Sequence, residues 1–411
     1  MTYITSCSFC GSILRPVIDL GMHPHSDYFP KDCKSEIKLY PLSLARCTSC
    51  GLFQNDYHLA TLDMFNDDYL YDSSVNTSAR KHWRNFAVDL RNRIVDKVIS
   101  TDCLSALDVG SNAGELLFYL ESEGFAAEGI EPSKMPHGIA ISRGLKSHNA
   151  IFSRECLRSL SGESYSLVTF TNSFPHIPQP VATLTLASDI IDRDIGIICI
   201  ESPSAQSMLK EGQYDQIYHQ HMTYLDIFPI YSICKQMGLR LFDFKFSTFH
   251  NGSCRYYIVH QDSIHQNTLN MNEYLDNFAI GDYLSDKMES SFREKSLKHR
   301  MDLRRFVQSS RDLDHVLSIV SAPAKGNTIL NFCGITSNDI AYASEANKLK
   351  IGRYTPLSSI PIVSDHELRQ YNPDILIVMA WNFFDQISSV ISNLFPRATF
   401  VNPFSLPTSY D

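Results

Sequence analysis

Ala106-Leu107-Asp108-Val109-Gly110-Ser111-Asn112-Ala113-Gly114-Glu115-Leu116-Leu117 runs from an apolar stretch through a glycine-rich turn into a second apolar stretch. Glycine lets the backbone come close to a bound ligand, and a helix N-terminus offers oriented N–H groups. The spacing G-x-N-x-G departs from the dinucleotide fingerprint G-x-G-x-x-G. The next apolar run ends in Gly129-Ile130-Glu131-Pro132, where a carboxylate can hold both hydroxyls of an adenosine ribose. Asp108, Gly110, Asn112, Gly114 and Glu131 together predict a site for S-adenosylmethionine. A nicotinamide site and a plain strand–turn–helix are the alternatives.

Working outward, Leu104–Val109, Ala126–Ile130, Leu167–Thr171 and Ile195–Ile200 read as buried parallel strands. Leu239–Phe246 and Cys254–His260 alternate better, flank the turn His250-Asn251-Gly252, and predict an antiparallel pair at the sheet edge. Such a pair suits a methyltransferase Rossmann-like sheet better than a dehydrogenase sheet. Residues 266–312 are polar and helical in composition, including the charged segment Ser291 to Arg311. Beyond them Asp339–Ala343, Ile375–Ala380 and Thr399–Val401 are strand candidates for a smaller α/β domain.

Residues 1–60 read as turn-rich and hold five of the eleven cysteines. Cys7-Ser8-Phe9-Cys10 and Cys47-Thr48-Ser49-Cys50 are two CxxC knuckles, each followed by glycine. A CxxC turn points both sulfurs one way, and two such turns supply the four-thiolate shell that Zn²⁺ prefers. Four buried free cysteines are the alternative. A closed four-sulfur shell leaves no position for water, so the expected metal role is structural. Cys33 reads as a spectator, and His23 and His25 as loop residues.

The chain has 411 residues, which predicts two or three domains. A net charge of −9 argues against a nucleic-acid partner, because neutralising phosphates needs a basic surface. No apolar run approaches the roughly 20 residues that span a bilayer, and Met1 to Ser6 lacks the start of a signal peptide. Cytoplasm, with no membrane partner, is the expectation.

Further blocks are ordered along the chain. They include Tyr40-Pro41-Leu42, Tyr69-Leu70-Tyr71-Asp72-Ser73-Ser74, Asn172-Ser173-Phe174-Pro175-His176, and Glu201-Ser202-Pro203. Asp215-Gln216-Ile217-Tyr218-His219-Gln220-His221, Gly252-Ser253-Cys254-Arg255-Tyr256, Ala324-Lys325 with Leu330-Asn331, and Trp381-Asn382 follow. With the cysteine pairs and the glycine turn, these blocks resemble the sugar C-methyltransferases of deoxysugar pathways over nearly the whole chain. The resemblance implies an α/β fold in three parts. These are a zinc-binding domain (1–70), a class I methyltransferase Rossmann-like domain (71–265), and a helical connection with a C-terminal Rossmann-like domain (266–411).

It also implies an acceptor: a 4-keto-deoxysugar carried on a nucleotide such as thymidine or guanosine diphosphate, methylated most often at C3. A ketone acidifies the neighbouring C–H, a base removes the proton, and the enolate carbon takes the methyl group. By the resemblance His221 is the base. Tyr218 and Tyr71 are candidate donors to the enolate oxygen, and His176 contacts the sugar. Asn172 serves cofactor or hydroxyl, and Ser73, Gln220, Ser253, Arg255 and Lys325 are candidate substrate contacts.

His219, two residues from His221, reads as a surface residue, a packing role remains open for Tyr71, and a turn-capping role for His176. The chain departs from the family at Gln220, where glutamate is usual, at Ala113, where aspartate is common, and at Val320-Ser321-Ala322, where the family has Tyr-Gly-Ala. O-methylation of a small metabolite, or a non-catalytic sugar-nucleotide-binding scaffold, are the competing functions.

Overall fold

The computed structural model describes residues 2–59, 79–97, 104–160, 162, 164–249 and 252–407. Tyr71, Ser73, His250 and Asn251 lie outside these described residues.

The N-terminal region is a sheet, where turns were expected. β1 (Leu14–His23), β2 (Tyr40–Cys47) and β3 (Phe53–Asn55) pair antiparallel. Register shifts between Pro16 and Ile18 and between Asp19 and Met22 interrupt the two-residue alternation that would have revealed β1. The fourth strand of this sheet, Thr223–Tyr224, comes from far along the chain and pairs with β3.

The central domain begins with α1 (Ala79–Val95). β4 (Ser105–Val109), α2 (Glu115–Ser122), β5 (Ala126–Ile130), α3 (Lys134–Ser142) and β6 (Ser147–His148) follow. Next come β7 (Leu167–Thr171), α4 (Pro180–Ile190), β8 (Ile197–Pro203), α5 (Ile227–Gln236), β9 (Leu239–Ser247) and β10 (Ser253–His260). The sheet order is β9-β10-β8-β7-β4-β5-β6, parallel except for β10. The final strand turns back between β8 and β9, as the alternating pair predicted. Both faces of the sheet are covered, which explains the continuous apolar strands. Leu107, Val109, Val168, Phe170, Ile198 and Ile200 lie in one core. Ala106, Leu167, Ile197 and Cys199 pack with Phe86, Leu90 and Ile94 of α1 in another.

α6 (Lys287–Asp312) is the helix expected from the charged segment. It buries Phe292, Ser296, Leu303, Phe306, Val307 and Ser310, a stripe at helical spacing. The C-terminal sheet is all parallel, β13-β12-β11-β14-β15, built from β11 (Leu317–Val320), β12 (Ala343–Ser344), β13 (Ile362–Val363), β14 (Ile375–Val378) and β15 (Thr399–Val401). α7 (Ala324–Cys333) follows β11. The candidate Asp339–Ala343 contributes only its last residue to β12, because Asp339 instead accepts the Thr336 N–H in a turn. β11 and β13 carry no periodicity over so few residues and were missed. Among the described residues no helix is long and apolar enough to cross a membrane.

One apolar core runs through all three parts. Leu42, Leu44 and Phe53 belong to it with Met208, Tyr214 and Ile217 and with Ile319, Ile329 and Trp381. Charge reinforces this join. Arg46, 1% exposed, places Nη1 2.7 Å from Glu289 at the start of α6, and Arg15 reaches the same carboxylate oxygen at 2.7 Å. Arg46 also donates to the carbonyls of Tyr283 and Ser285 and lies over the rings of Phe53 and Tyr283. A guanidinium so fully bonded bears its desolvation, whereas removal of one partner strands a buried charge. Arg46→Ala is therefore expected to lower unfolding stability by about 3 kcal/mol. Urea denaturation checks this, and a loss under about 1 kcal/mol would place the join in the apolar core alone.

Candidate active site

The cysteine knuckles come first in the chain. Antiparallel β1–β2 pairing aligns Leu14 with Cys47 and brings the two CxxC turns together. The ligand sulfurs of Cys7, Cys10, Cys47 and Cys50 all lie within 4.8 Å of one another. Cys7–Cys50 and Cys10–Cys47 Sγ separations are 3.5 and 3.4 Å, close to the roughly 3.8 Å edge of a tetrahedron with Zn–S bonds of about 2.3 Å. Gly11 and Gly51 follow at φ 72° and 71°, the left-handed turn that ends each knuckle. N–H groups of Phe9, Ser49 and Cys50 point at Cys7 or Cys47 sulfur, an arrangement that favours thiolate. The donor set fits Zn²⁺. The Cys7, Cys47 and Cys50 side chains pack among Leu225, Ile227 and Phe244, so the metal would brace the first domain against the central one.

At the carboxyl ends of the parallel strands, the glycine turn closes on Glu131. Its carboxylate accepts the N–H of Asn112 at 2.9 Å and of Ser133 at 2.7 Å. Asn112, Gly110 and Gly114 all have positive φ. A Cβ on Gly110 would stand 2.4 Å from that of Ser173, so this turn admits only glycine. Asp108 faces inward and accepts from Thr169 Oγ1 at 2.7 Å. Burial pushes its carboxyl up to about 7 despite that bond. Asn172 sits at φ 55° with its N–H on the Glu201 carbonyl. Among the described residues Ser111 Oγ, Thr171 Oγ1 and Asn172 Oδ1 are buried without a hydrogen-bond partner. Orphaned polar atoms gathered at a strand switch point mark a ligand site, and their chemistry fits a ribose and an amino-acid tail.

From this turn the structure leads to the histidines. Ser173 Oγ donates to the Val109 carbonyl, and Phe174–His176 forms a single 3₁₀ turn. His176 Nδ1 donates to the Gln220 carbonyl at 2.6 Å, and Met222 N–H donates to the Pro175 carbonyl. The His176 and His221 rings are 5.1 Å apart. His221 Nδ1 lies 3.0 Å from the Gln216 carbonyl, which can only accept. The Nδ1–H tautomer follows, leaving Nε2 as a lone pair that takes the Tyr218 O–H at 2.6 Å. Tyr218, His221, His176 and Gln220 are thus brought together.

The other expected contacts are distributed differently. Arg255 Nε binds the fully buried Glu201, which also meets His82 Nε2 at 2.6 Å, and its guanidinium lies over Phe86. Arg255 therefore has an internal partner beside the cofactor edge. Ser253 donates to the Phe249 carbonyl. Lys325, at the start of α7, faces Trp381, whose indole N–H donates to Asp215 at 2.7 Å. Burial lowers the Lys325 ammonium while Asp215 acts the other way.

His219 is wholly buried, not on the surface, and its Nε2 donates to the Pro41 carbonyl at 3.1 Å. It is a tether to β2. Asp27 and Asn55 were absent from the sequence reading. Asp27 accepts from Gln220, and Asn55 donates to the Tyr218 carbonyl. Neither carries a motif, and only folding brings them here.

Burial depresses the His219 imidazole from 6.5 to about 3. As pH falls below 6.5 the unfolded chain takes up this proton first, so the tether's stability is full above 6.5 and declines below it. Buried Asp108 and Asp215 shift upward and work in the opposite sense, so a variant comparison isolates the histidine. Between pH 7.5 and 5.0 the wild type should lose about 2 kcal/mol more than His219→Gln in denaturation experiments. Equal losses would contradict this.

Family comparison matches three successive models. They are a zinc binding domain over residues 7–65, a methyltransferase domain over 79–243, and a C-methyltransferase C-terminal domain over 248–403. The C-methyltransferase NovU of Streptomyces niveus is 26% identical over 389 residues, covering 93% of this chain and 91% of the relative. Among solved structures, magnesium protoporphyrin IX methyltransferase of Synechocystis PCC 6803 with bound S-adenosylmethionine is 15% identical. It covers 49% of this chain and 98% of that one at a TM-score of 0.37. The plantazolicin methyltransferase BpumL is 11% identical, covering 45% and 86%, at 0.36.

Proposed function

Because the chain belongs to the three-domain C-methyltransferase family, with zinc and S-adenosylmethionine as its groups, we propose that it methylates a carbon beside the ketone of a nucleotide-linked 4-keto-deoxysugar, most often C3. The observation that carries this reading is the Tyr218–His221 pair, set in a loop rich in unsatisfied polar atoms. Gln216 Nε2 and Gln220 Oε1 are buried without partners among the described residues, as are both amide atoms of Asn382 nearby. So many donors and acceptors in one place suit a polyhydroxylated, charged ligand.

S-Adenosylmethionine, when bound, supplies an electrophilic methyl. Glu131 and the turn at Gly110–Gly114 would hold its ribose side, and Asn172 would complete that wall. The protein's own chemistry is proton movement. His221, fixed as the Nδ1–H tautomer, has one lone pair, on Nε2, and it takes the proton from the carbon beside the ketone. That lone pair must first give up the Tyr218 O–H, because it cannot accept both protons. The phenol O–H is then released to donate to the oxygen on which the enolate charge develops. Electrons of the broken C–H bond pass into the enolate; the methyl that its carbon would take comes with cleavage of the sulfur–methyl bond, whose electron pair would stay on sulfur in the departing S-adenosylhomocysteine. His176 positions this unit through the Gln220 carbonyl.

The test uses a 4-keto-6-deoxyhexose on thymidine diphosphate, with product carbons assigned by NMR. His221→Ala should lower kcat by roughly 10²–10⁴, and Tyr218→Phe by a smaller factor, with S-adenosylmethionine affinity kept in both. Methyl on oxygen, or wild-type rates in His221→Ala, would overturn the reading.

A further inference from the structure

The segment His25–Pro30 belongs to the first domain, yet it is built into the active-site wall. The Ser26 carbonyl accepts from Asn327 Nδ2 at 2.7 Å, the Phe29 carbonyl from Arg353, and the Pro30 carbonyl from the Tyr354 N–H. Three bonds to the C-terminal domain thus fix the segment that carries Asp27. One carboxylate oxygen, Oδ2, accepts from Gln220 Nε2 at 2.8 Å. Gln220 is 1% exposed, and its Oε1 has no partner among the described residues. Asp27 itself stays half-buried.

The chemistry of the pair is specific. Asp27 is a charged acceptor, and the Gln220 Oε1 is a second, unsatisfied acceptor fixed beside it. A buried amide oxygen left unpaired is costly, and a ligand that donates hydrogen bonds removes that cost. The pair also adjoins the reacting groups. Gln220 offers its backbone carbonyl to His176, and burial lowers the His176 imidazole while the Asp27 charge opposes that shift. Position 220 supplies no carboxylate, but the fold brings one to it from 193 residues upstream.

We propose that Asp27 is a substrate-binding residue, its carboxylate and the Gln220 amide oxygen each accepting from one of two adjacent ring hydroxyls of the acceptor sugar beside His176. This deepens the keto-sugar reading and rests on it. A first-domain residue then sets acceptor specificity, and the first domain has a role beyond bracing. Charge-assisted hydrogen bonds to a hydroxyl are strong because the carboxylate is already ordered and partly dehydrated.

Steady-state kinetics with the 4-keto-6-deoxyhexose on thymidine diphosphate tests this, using full-length protein, with calorimetric S-adenosylmethionine binding and melting as controls. Asp27→Asn keeps an oxygen that can accept from Gln220 but removes the charge. It should raise KM roughly tenfold to a hundredfold with little change in melting temperature or cofactor affinity. The double variant Asp27→Asn/Gln220→Glu returns a carboxylate to the pair and should bring KM back to within a few-fold of wild type. An unchanged KM in Asp27→Asn overturns the proposal, as does a rise that the double variant fails to reverse, since Asp27 would then only hold Gln220 in place. If the wild type turns the sugar over in either case, the keto-sugar reading stands. If the wild type does not turn it over, that reading falls and takes this inference with it.

Discussion

The structure depends on the immobilisation of one seven-residue loop, Asp215–His221, by three domains at once. The first domain holds it through the Pro41 carbonyl on His219, Asn55 on the Tyr218 carbonyl, and Asp27 on Gln220. The C-terminal domain holds it through Thr328 on the Ile217 carbonyl and Trp381 on Asp215. The central domain supplies His176, whose Nδ1 donates to the Gln220 carbonyl. On the proposed reading the imidazole meets a carbon–hydrogen bond and tolerates little misplacement, and irregular backbone is precise only where it is bonded on every side. The strand Thr223–Tyr224, directly after the loop, completes the first domain's sheet. Loop position and domain assembly are therefore a single equilibrium.

This explains why the zinc knuckles lie in a methyltransferase at all. The region before β4 is small and cannot bury much apolar surface by itself. Four sulfurs around one ion, the Arg46–Glu289 pair and the shared core together make it rigid. Among the described residues, polar atoms left unsatisfied along the loop and along the cofactor edge fall at the two places where ligands would complete the bonding.

The central fold was legible in the sequence because buried parallel strands are written as short apolar runs, and the turn at Gly110–Gly114 has backbone angles that demand glycine. The antiparallel pair showed in its alternation. The first sheet was not legible, since bulges in β1 disturb its period and its fourth strand lies more than 160 residues beyond β3. β11, β12 and β13 have four, two and two residues, too few for any period to show. Within the site, local spacing shows Tyr218 and His221 as neighbours, and the structure joins them through Nε2. It could not show that His219 is a buried tether or that Asp27 faces Gln220. Those facts belong to tertiary contact, which no window of sequence contains.

The central claim is that the loop holds an imidazole able to remove a proton from carbon. Incubating the protein with a nucleotide-linked 4-keto-deoxysugar and S-adenosylhomocysteine in deuterated water isolates that step, because no methyl is available to follow it. The account predicts enzyme-dependent deuterium incorporation at the carbon beside the ketone, lost when His221 is replaced. Protium retained at that carbon under conditions where the intact enzyme methylates it would contradict the account.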